Sequence, residues 1–256
     1  PQNLQPIREL MKEIHEILQK DADDKWYSFV FLEDLYQKSV SVSKTEALLQ
    51  SRDRGLVMRI LAHDKNLEYA SNNFDKDFLF AQAVKLRQKA EGYINSLKKY
   101  NVYKPLSWQE ENISYLEPLI KEQIPKDVNK NTQAHFGTPY EHDPEEAVLG
   151  YMAGEARIYR TAILEKTKGK LPVAGVVVKQ KIKTKIFIDK EKNMSQSLLR
   201  CLGYLYSASS KGRMARVIHG GMGGFELEDI SDKEFEYVAC MPLVLDKAEY
   251  LKPGRY

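Results

Sequence analysis

The sequence predicts an α+β fold made of two similar units, each with a helix, several antiparallel strands and a second helix. Two observations support this class. The spacing of apolar residues changes from helical to alternating and back again, and this order occurs twice along the 256 residues. A proline-punctuated segment separates the two occurrences. We therefore expect a first unit over residues 1–100, a linker or excursion over 101–141 and a second unit over 142–256.

The first unit begins with an amphipathic helix, since apolar residues from Ile7 to Leu18 fall on one helical stripe. Alternating apolar residues then predict short strands, with turns at Gly55 and at His63–Asn66. Asn73 or Asp75 can cap the helix that follows. After the first helix, the predicted elements are strands at Trp26–Val30, Val40–Val42, Leu48–Leu49, Leu56–Leu61 and Leu67–Ala70, and a helix from Lys76 to about Leu97.

Residues 101–141 differ in composition from both units. Four prolines interrupt this segment, and polar residues dominate from Lys126 to Gln133. A short helix is predicted near Glu110–Leu116. We interpret the segment as a linker or as a long excursion between the two units.

The second unit starts at Asp143–Glu146, where an N-cap, a proline and two acidic residues predict a helix that reaches Lys166. Ser231 and Glu234 have the spacing of a capping box at the start of the last helix, which is expected to run to about Tyr250. The strands predicted between these helices are Val173–Lys179, Lys181–Ile188, Ser197–Ser207 and Arg213–Ile218.

The run Ile218–Glu226 holds four glycines in five positions. Glycine loses more conformational entropy on folding than other residues, so this cluster needs a reason. A P-loop is excluded because no Lys-Ser/Thr pair follows, and a dinucleotide fingerprint is excluded because Glu226 stands in place of its third glycine. Two interpretations stay open: a mobile flap over a ligand, and a corner between a strand and a helix.

The charge composition argues against a nucleic-acid partner. The 39 basic and 36 acidic residues give a net charge of +3, and the basic residues are scattered among acidic ones. The one basic run, Lys179–Lys185, alternates with apolar residues and is interpreted as the solvated face of a strand.

The hydropathy of the chain argues against a membrane-spanning helix, and no membrane partner is expected. No apolar stretch approaches the about 20 residues of a membrane-spanning helix. The chain starts with Pro1, which leaves open a leader removed upstream.

No catalytic or metal site is assigned from the residues themselves. His15 lacks a second histidine at the spacing that a helical zinc site needs, and we expect it on a polar helix face. His135 and His142 are seven residues apart, which gives only a weak metal motif with Glu141 and Asp143 beside them. The two cysteines lie far apart in apolar surroundings and indicate reduced thiols in the cytoplasm. Neighbouring carboxylates such as Glu33 and Asp34 are interpreted as solvated.

Five short segments resemble the TldD/PmbA family. Gly55–Ile60 and Tyr69–Asn73 are similar to a glycine–apolar–arginine–apolar and Ala-Ser signature in the family's N-terminal half. Ile182–Ile188 resembles a strand of its second sheet, and Gly223–Glu226 resembles its glycine-rich turn before a helix. Leu251–Tyr256 is similar to a Pro-x-Gly connector into the C-terminal half. The resemblance is carried by the order and spacing of these motifs.

The resemblance implies a role in proteolysis. TldD proteins are zinc metallopeptidases, were long described as modulators of DNA gyrase, and pair with a metal-free partner called PmbA or TldE. Their zinc lies in the C-terminal half, on a His-Glu-x-x-x-His helix that this sequence lacks. The chain is therefore expected to be a non-catalytic N-terminal half, with no cofactor of its own and with zinc in a C-terminal half. It would shape a groove for unfolded peptides and contact a homo- or heterodimer partner in the cytoplasm.

The predicted strand near residue 213 and the glycine run are the expected place for a peptide, since an extended peptide can add to a sheet edge through its backbone. Two alternatives stay open: a stand-alone protein-interaction module, and the metal-free PmbA/TldE-like subunit. The expected peptide-binding residues are Arg213, Arg216, His219, Gly221, Gly223, Gly224 and Phe225.

Overall fold

The structure, a computed structural model, describes residues 4–23, 25–103, 132–140, 148–224 and 230–248. These residues form four α-helices and seven β-strands. In chain order the elements are α1 (Gln5–Gln19), β1 (Tyr27–Val42), β2 (Glu46–Ala62), β3 (Lys65–Ser71), α2 (Lys76–Lys99), β4 (Thr132–Gly137), α3 (Leu149–Lys166), β5 (Val173–Ile188), β6 (Lys192–Ala208), β7 (Met214–Met222) and α4 (Asp232–Leu245).

The α+β class and the repeated order of a helix, three strands and a helix are confirmed, with β4 added between the two units. All seven strands belong to one sheet, in which β3, β2, β1, β5, β6 and β4 are successive neighbours and β7 also pairs with β6. Every pair is antiparallel except β4 with β6. Because β1 pairs with β5, the strand Ile182–Ile188 does not belong to a second sheet. The division at residues 101–141 stays a prediction.

Most strands are longer than the sequence suggested: β1, for example, joins the predicted strands Trp26–Val30 and Val40–Val42. Gly55 was expected in a turn, but it lies inside β2 and pairs with Glu33 of β1. The predicted break at Gln180 is also wrong, because β5 runs through it with partners on both sides. Continuous pairing with neighbouring strands overrides the local preference of a single residue, which is the usual limit of strand propensity.

One face of the sheet carries all four described helices. Side chains alternate between the faces of a strand, so the even-numbered residues of β1 share one side. At one end, Val30 and Leu32 join a buried cluster with residues of α1 and α2. At the other end, Val40 and Val42 join a second cluster with residues of α3 and α4. We call this side the helix face, and the opposite side, on which no described helix packs, the open face.

Two predicted helix starts are confirmed, whereas α3 begins at Leu149, after Val148 in an extended conformation, and ends at Lys166 as expected. Asp75 caps α2 by accepting a hydrogen bond from the amide of Phe78 at 2.8 Å. Ser231 and Glu234 form the predicted capping box of α4. That helix ends at Leu245, earlier than the expected end near Tyr250. The predicted helix near Glu110–Leu116, the helix start at 143–146 and the segment 251–256 lie outside the described residues.

His15 is not on a polar helix face as expected. Its side chain is buried between α1 and β1, and Nε2 lies 3.1 Å from the carbonyl oxygen of Ser28. Burial lowers the pKa of this imidazole, and the contact with Ser28 opposes that effect. His15 therefore ties the first helix to the sheet.

Candidate functional site

β7 lies at an edge of the sheet. In its ladder with β6, Met214 pairs with Ala208 at one end and Met222 pairs with Arg200 at the other. No described strand pairs with the other edge of β7. The nine residues of β7 therefore present a row of backbone N–H and C=O groups on that edge. Such a row is a template for pairing with another extended chain.

The open-face side of β7 is apolar and exposed. Met214, Ile218 and Met222 are 63%, 51% and 50% exposed. Arg216 stands between the first two on the same face, and it is exposed as well. Native edge strands usually carry charges or prolines that prevent pairing, and this edge has a single charge among three large apolar side chains.

The helix-face side of β7 is anchored to α4. His219 Nε2 lies 2.9 Å from Glu234 Oε1. Ser231 donates to the same carboxylate through its hydroxyl at 2.6 Å and through its amide at 3.1 Å. The side-chain and backbone hydrogen bonds of Ser231, followed by the contact with His219, lower the pKa of Glu234 to about 2. The carboxylate is therefore charged at neutral pH and holds the start of α4 beside β7.

The glycine run begins as strand and not as a corner. Gly220 has φ +150°, and a Cβ atom there would lie 2.4 Å from the carbonyl oxygen of Cys201, so only glycine fits. Gly221 pairs with Cys201 in the ladder. Gly223 is buried, and its amide donates to the carbonyl oxygen of Leu199 at 3.2 Å. The strand expected to end at Ile218 therefore extends to Met222.

The expected peptide-binding residues are divided between the two faces. Arg216 is on the open face, whereas His219 and Gly221 are on the helix face. Arg213 precedes β7 and closes its hairpin with β6, where its carbonyl oxygen accepts from the amide of Ser209 at 2.9 Å. Gly224 ends the described part of the run, and Phe225 lies outside the described residues.

A buried carboxylate on the helix face was missed. Asp34 is 3% exposed, so the interpretation of a solvated pair is wrong for it. It accepts hydrogen bonds from Arg52 Nε at 2.9 Å and from Arg54 Nη2 at 2.7 Å. Burial raises the pKa of Asp34, but the hydrogen bonds from the two arginines outweigh it and hold the pKa below its usual range.

Asp34 belongs to a polar belt between the two apolar clusters. Lys38 lies on the same face of β1, and its strand partner on β5 is Gln180. Gln180 is 2% exposed, and neither polar atom of its amide has a hydrogen-bond partner among the described residues. The sequence signal for this belt is the pair Asp34 and Lys38 at even-numbered positions of β1. The even-numbered residues immediately before and after this pair are apolar.

The described residues contain no set of His, Cys, Asp and Glu side chains that gathers as metal ligands. His135 Nδ1 lies 2.8 Å from the hydroxyl oxygen of Ser195, which accepts from Arg8 Nη2 at 2.6 Å. A neighbouring arginine disfavours a cation at this position. His142 and its acidic neighbours lie outside the described residues. No helix in the described ranges is long and apolar enough to cross a membrane.

Comparison with solved structures identifies the fold. The chain is similar to a putative modulator of DNA gyrase from Thermotoga maritima, with 10% identity and a TM-score of 0.56, over 95% of this chain and 50% of that chain. A putative modulator of DNA gyrase from Bacteroides thetaiotaomicron gives 9% identity and a TM-score of 0.53, over 93% and 48%. TldE from Thermococcus kodakarensis gives 11% identity and a TM-score of 0.54, over 90% and 47%.

The chain spans about half the length of each of these structures. No protein-family model and no curated protein matches the sequence. The fold is therefore that of about half of the putative modulator of DNA gyrase and TldE structures, which confirms the predicted TldD/PmbA resemblance at the level of the fold.

Proposed function

We propose that this chain is the non-catalytic, peptide-binding half of a larger TldD/PmbA-type protein, and that β7 takes up an extended peptide as an additional strand. The observation that carries the proposal is the outer edge of β7, which lacks a described partner strand and bears three exposed apolar side chains. Strand addition uses backbone hydrogen bonds for affinity, so it accepts unfolded peptides of many sequences.

The support behind β7 suits this role. An edge strand binds an extended chain well only when it is held in place, because ordering a loose strand costs conformational entropy. β7 is held on one side by its ladder with β6 and on the helix face by the contact of His219 with Glu234. The hydroxyl of Ser207 on β6 also donates to the carbonyl oxygen of Val238 in α4.

Hydrolysis is not assigned to this chain. The zinc implied by the resemblance has no fitting ligand set among the described residues, so we place the metal and the reaction in the other half of the larger protein. The role of this chain would be to orient the extended substrate. We also propose a cytoplasmic location and a homo- or heterodimer partner of the same family.

The alternative of a metal-free subunit agrees with the fold, which all three solved structures share. It assigns the same strand-accepting role to β7, because the role depends on the edge and not on a metal. A stand-alone interaction module differs, since a folded partner would dock on the surface without adding a strand.

Peptide binding to the purified chain tests the proposal. Fluorescence anisotropy would compare a labelled nine-residue extended peptide with the same peptide N-methylated at alternate residues on its pairing edge. Strand addition predicts that N-methylation abolishes binding, because it removes the donors that pair with β7. Equal binding of the two peptides would contradict strand addition and favour docking of side chains alone.

A further inference from the structure

We propose that the open-face side chains of β7 select the peptide: an acidic residue opposite Arg216, apolar residues opposite Met214 and Ile218, and an aromatic residue opposite Gly220. This inference rests on the proposed strand addition. In antiparallel orientation the preferred peptide reads aromatic-x-apolar-x-acidic-x-apolar. The intervening residues point to the helix face.

The selection follows from the alternation of β7. Met214, Arg216, Ile218, Gly220 and Met222 all point to the open face, two residues apart. A peptide strand on the outer edge would place its own open-face side chains directly opposite them, with Cβ atoms about 5 Å apart. Opposite charges and apolar pairs at this separation are favourable, whereas a cation opposite Arg216 is not.

A large side chain opposite Gly220 would pack against Leu202, whose Cδ1 reaches to 3.0 Å from where a Cβ atom of Gly220 would lie. Gly220 carries no side chain, so nothing from β7 covers its ladder partner Leu202, which is half-buried on β6. The protein itself uses an aromatic ring over a strand glycine. Gly175 pairs with Tyr206, and the ring lies so close that a Cβ atom on Gly175 would stand 2.3 Å from it. An aromatic residue opposite Gly220 would repeat this arrangement two strands further out.

The open face also carries a basic pair near the Met222 end of β7. Lys181 of β5 and Arg200 of β6 are direct partners in the ladder, and both are exposed. The structure gives no ion pair in the described chain to either of them or to Arg216. Like charges directly opposite each other destabilise a sheet. This pair lies beside Met222, about 20 Å along β7 from Arg216, so the acidic preference opposite Arg216 depends on Arg216 itself.

Two peptides test the selection. The first is Thr-Tyr-Thr-Val-Thr-Glu-Thr-Val-Thr, and the second has Lys in place of Glu. We expect the Glu peptide to bind about two- to fivefold more tightly at low salt, which is the size of one cross-strand charge pair. Replacing Tyr by Ser should weaken binding by a similar factor, about two- to fivefold.

Reversing the charge at position 216 tests whether Arg216 pairs with the acidic residue of the peptide. In the variant Arg216→Glu the preference should reverse, so that the Lys peptide binds more tightly. Arg200→Glu is the matched control: it changes the net charge equally, but Arg200 is the ladder partner of Met222, six residues or about 20 Å along β7 from Arg216. The control should keep the preference for Glu. Both positions are exposed, and unchanged thermal unfolding of each variant verifies folding.

The outcomes separate the two proposals. If N-methylation weakens binding but the Glu and Lys peptides bind equally, the selection is wrong and strand addition stands. If both variants lose the preference for Glu to the same extent, the preference comes from the net charge of the protein and not from a pair with Arg216. The selection is then also overturned. If N-methylation has no effect, strand addition itself fails.

Discussion

Replacing Asp34 tests whether the buried carboxylate holds the centre of the sheet. Asp34 is 3% exposed and accepts hydrogen bonds from Arg52 and Arg54. The variant Asp34→Asn keeps the size of the side chain and removes its charge. Two guanidinium groups then remain on the helix face of β2 without the carboxylate that binds them.

The expected loss in the free energy of unfolding depends on how exposed Arg52 and Arg54 are. Removing one member of a buried ion pair costs about 3–5 kcal/mol. The arginines are 33% and 26% exposed and keep part of their hydration, so we expect the lower end, about 3 kcal/mol. Glu33→Gln is the matched control on the open face. Glu33 is 40% exposed and lies 2.8 Å from Lys183, and exposed pairs contribute at most about 1 kcal/mol.

Urea unfolding followed by circular dichroism measures both free energies of unfolding. The reasoning requires a loss for Asp34→Asn that clearly exceeds the loss for Glu33→Gln. Equal losses, or a loss of less than about 1 kcal/mol for Asp34→Asn, would refute the assignment of a buried, structural ion pair.

The same pair gives a pH dependence with a definite sign. The folded-state pKa of Asp34 is lowered, so its contribution to stability is complete above the unfolded-state pKa of about 4. The contribution is lost as pH falls through the folded-state pKa, because protonation then removes the charge that the arginines bind. Below about pH 4, the free energy of unfolding of Asp34→Asn should therefore depend less on pH than that of the unsubstituted chain.

Three further predictions concern the site and its support. Gly220→Ala should lower the free energy of unfolding by at least about 2 kcal/mol, because the new Cβ meets the Cys201 carbonyl at positive φ. Gly55→Ala, where no described atom lies within 4 Å of the new Cβ, should change it by less than about 1 kcal/mol. Equal effects in urea unfolding would contradict this. Ser231→Ala should lower the free energy of unfolding by about 1 kcal/mol, because the helix cap is lost. An NMR titration should show the pKa of Glu234 raised from about 2, and an unchanged pKa would exclude the capping box. Elemental analysis of the dialysed chain should find no stoichiometric zinc; one zinc per chain would reveal a ligand set that our interpretation lacks.

The sequence predicts those features that depend on neighbouring residues. Ser231 with Glu234, and Asp75 before α2, follow from a few adjacent positions, and the structure confirms them. The alternation around Lys179–Lys185 likewise predicts a solvated strand face, and the lysines lie on the open face.

The features that the sequence missed depend on distant residues. Gly55 is in a strand because β1 pairs across it, and Asp34 is buried because two arginines from β2 cover it. Neither pairing is visible within a short window of sequence. The face of each site residue was also unpredictable until the register of β7 on β6 was known, since a shift of one residue would exchange Arg216 with its neighbours.

Hydrogen exchange at β7 tests the central claim most directly. The purified chain would be exchanged with and without a saturating extended peptide, and the amides of Met214–Met222 would be followed by mass spectrometry or NMR. Strand addition predicts slower exchange at the β7 amides that face the outer edge, with little change in β3 at the opposite edge of the sheet. Binding of the peptide with unchanged exchange along β7 would contradict the account.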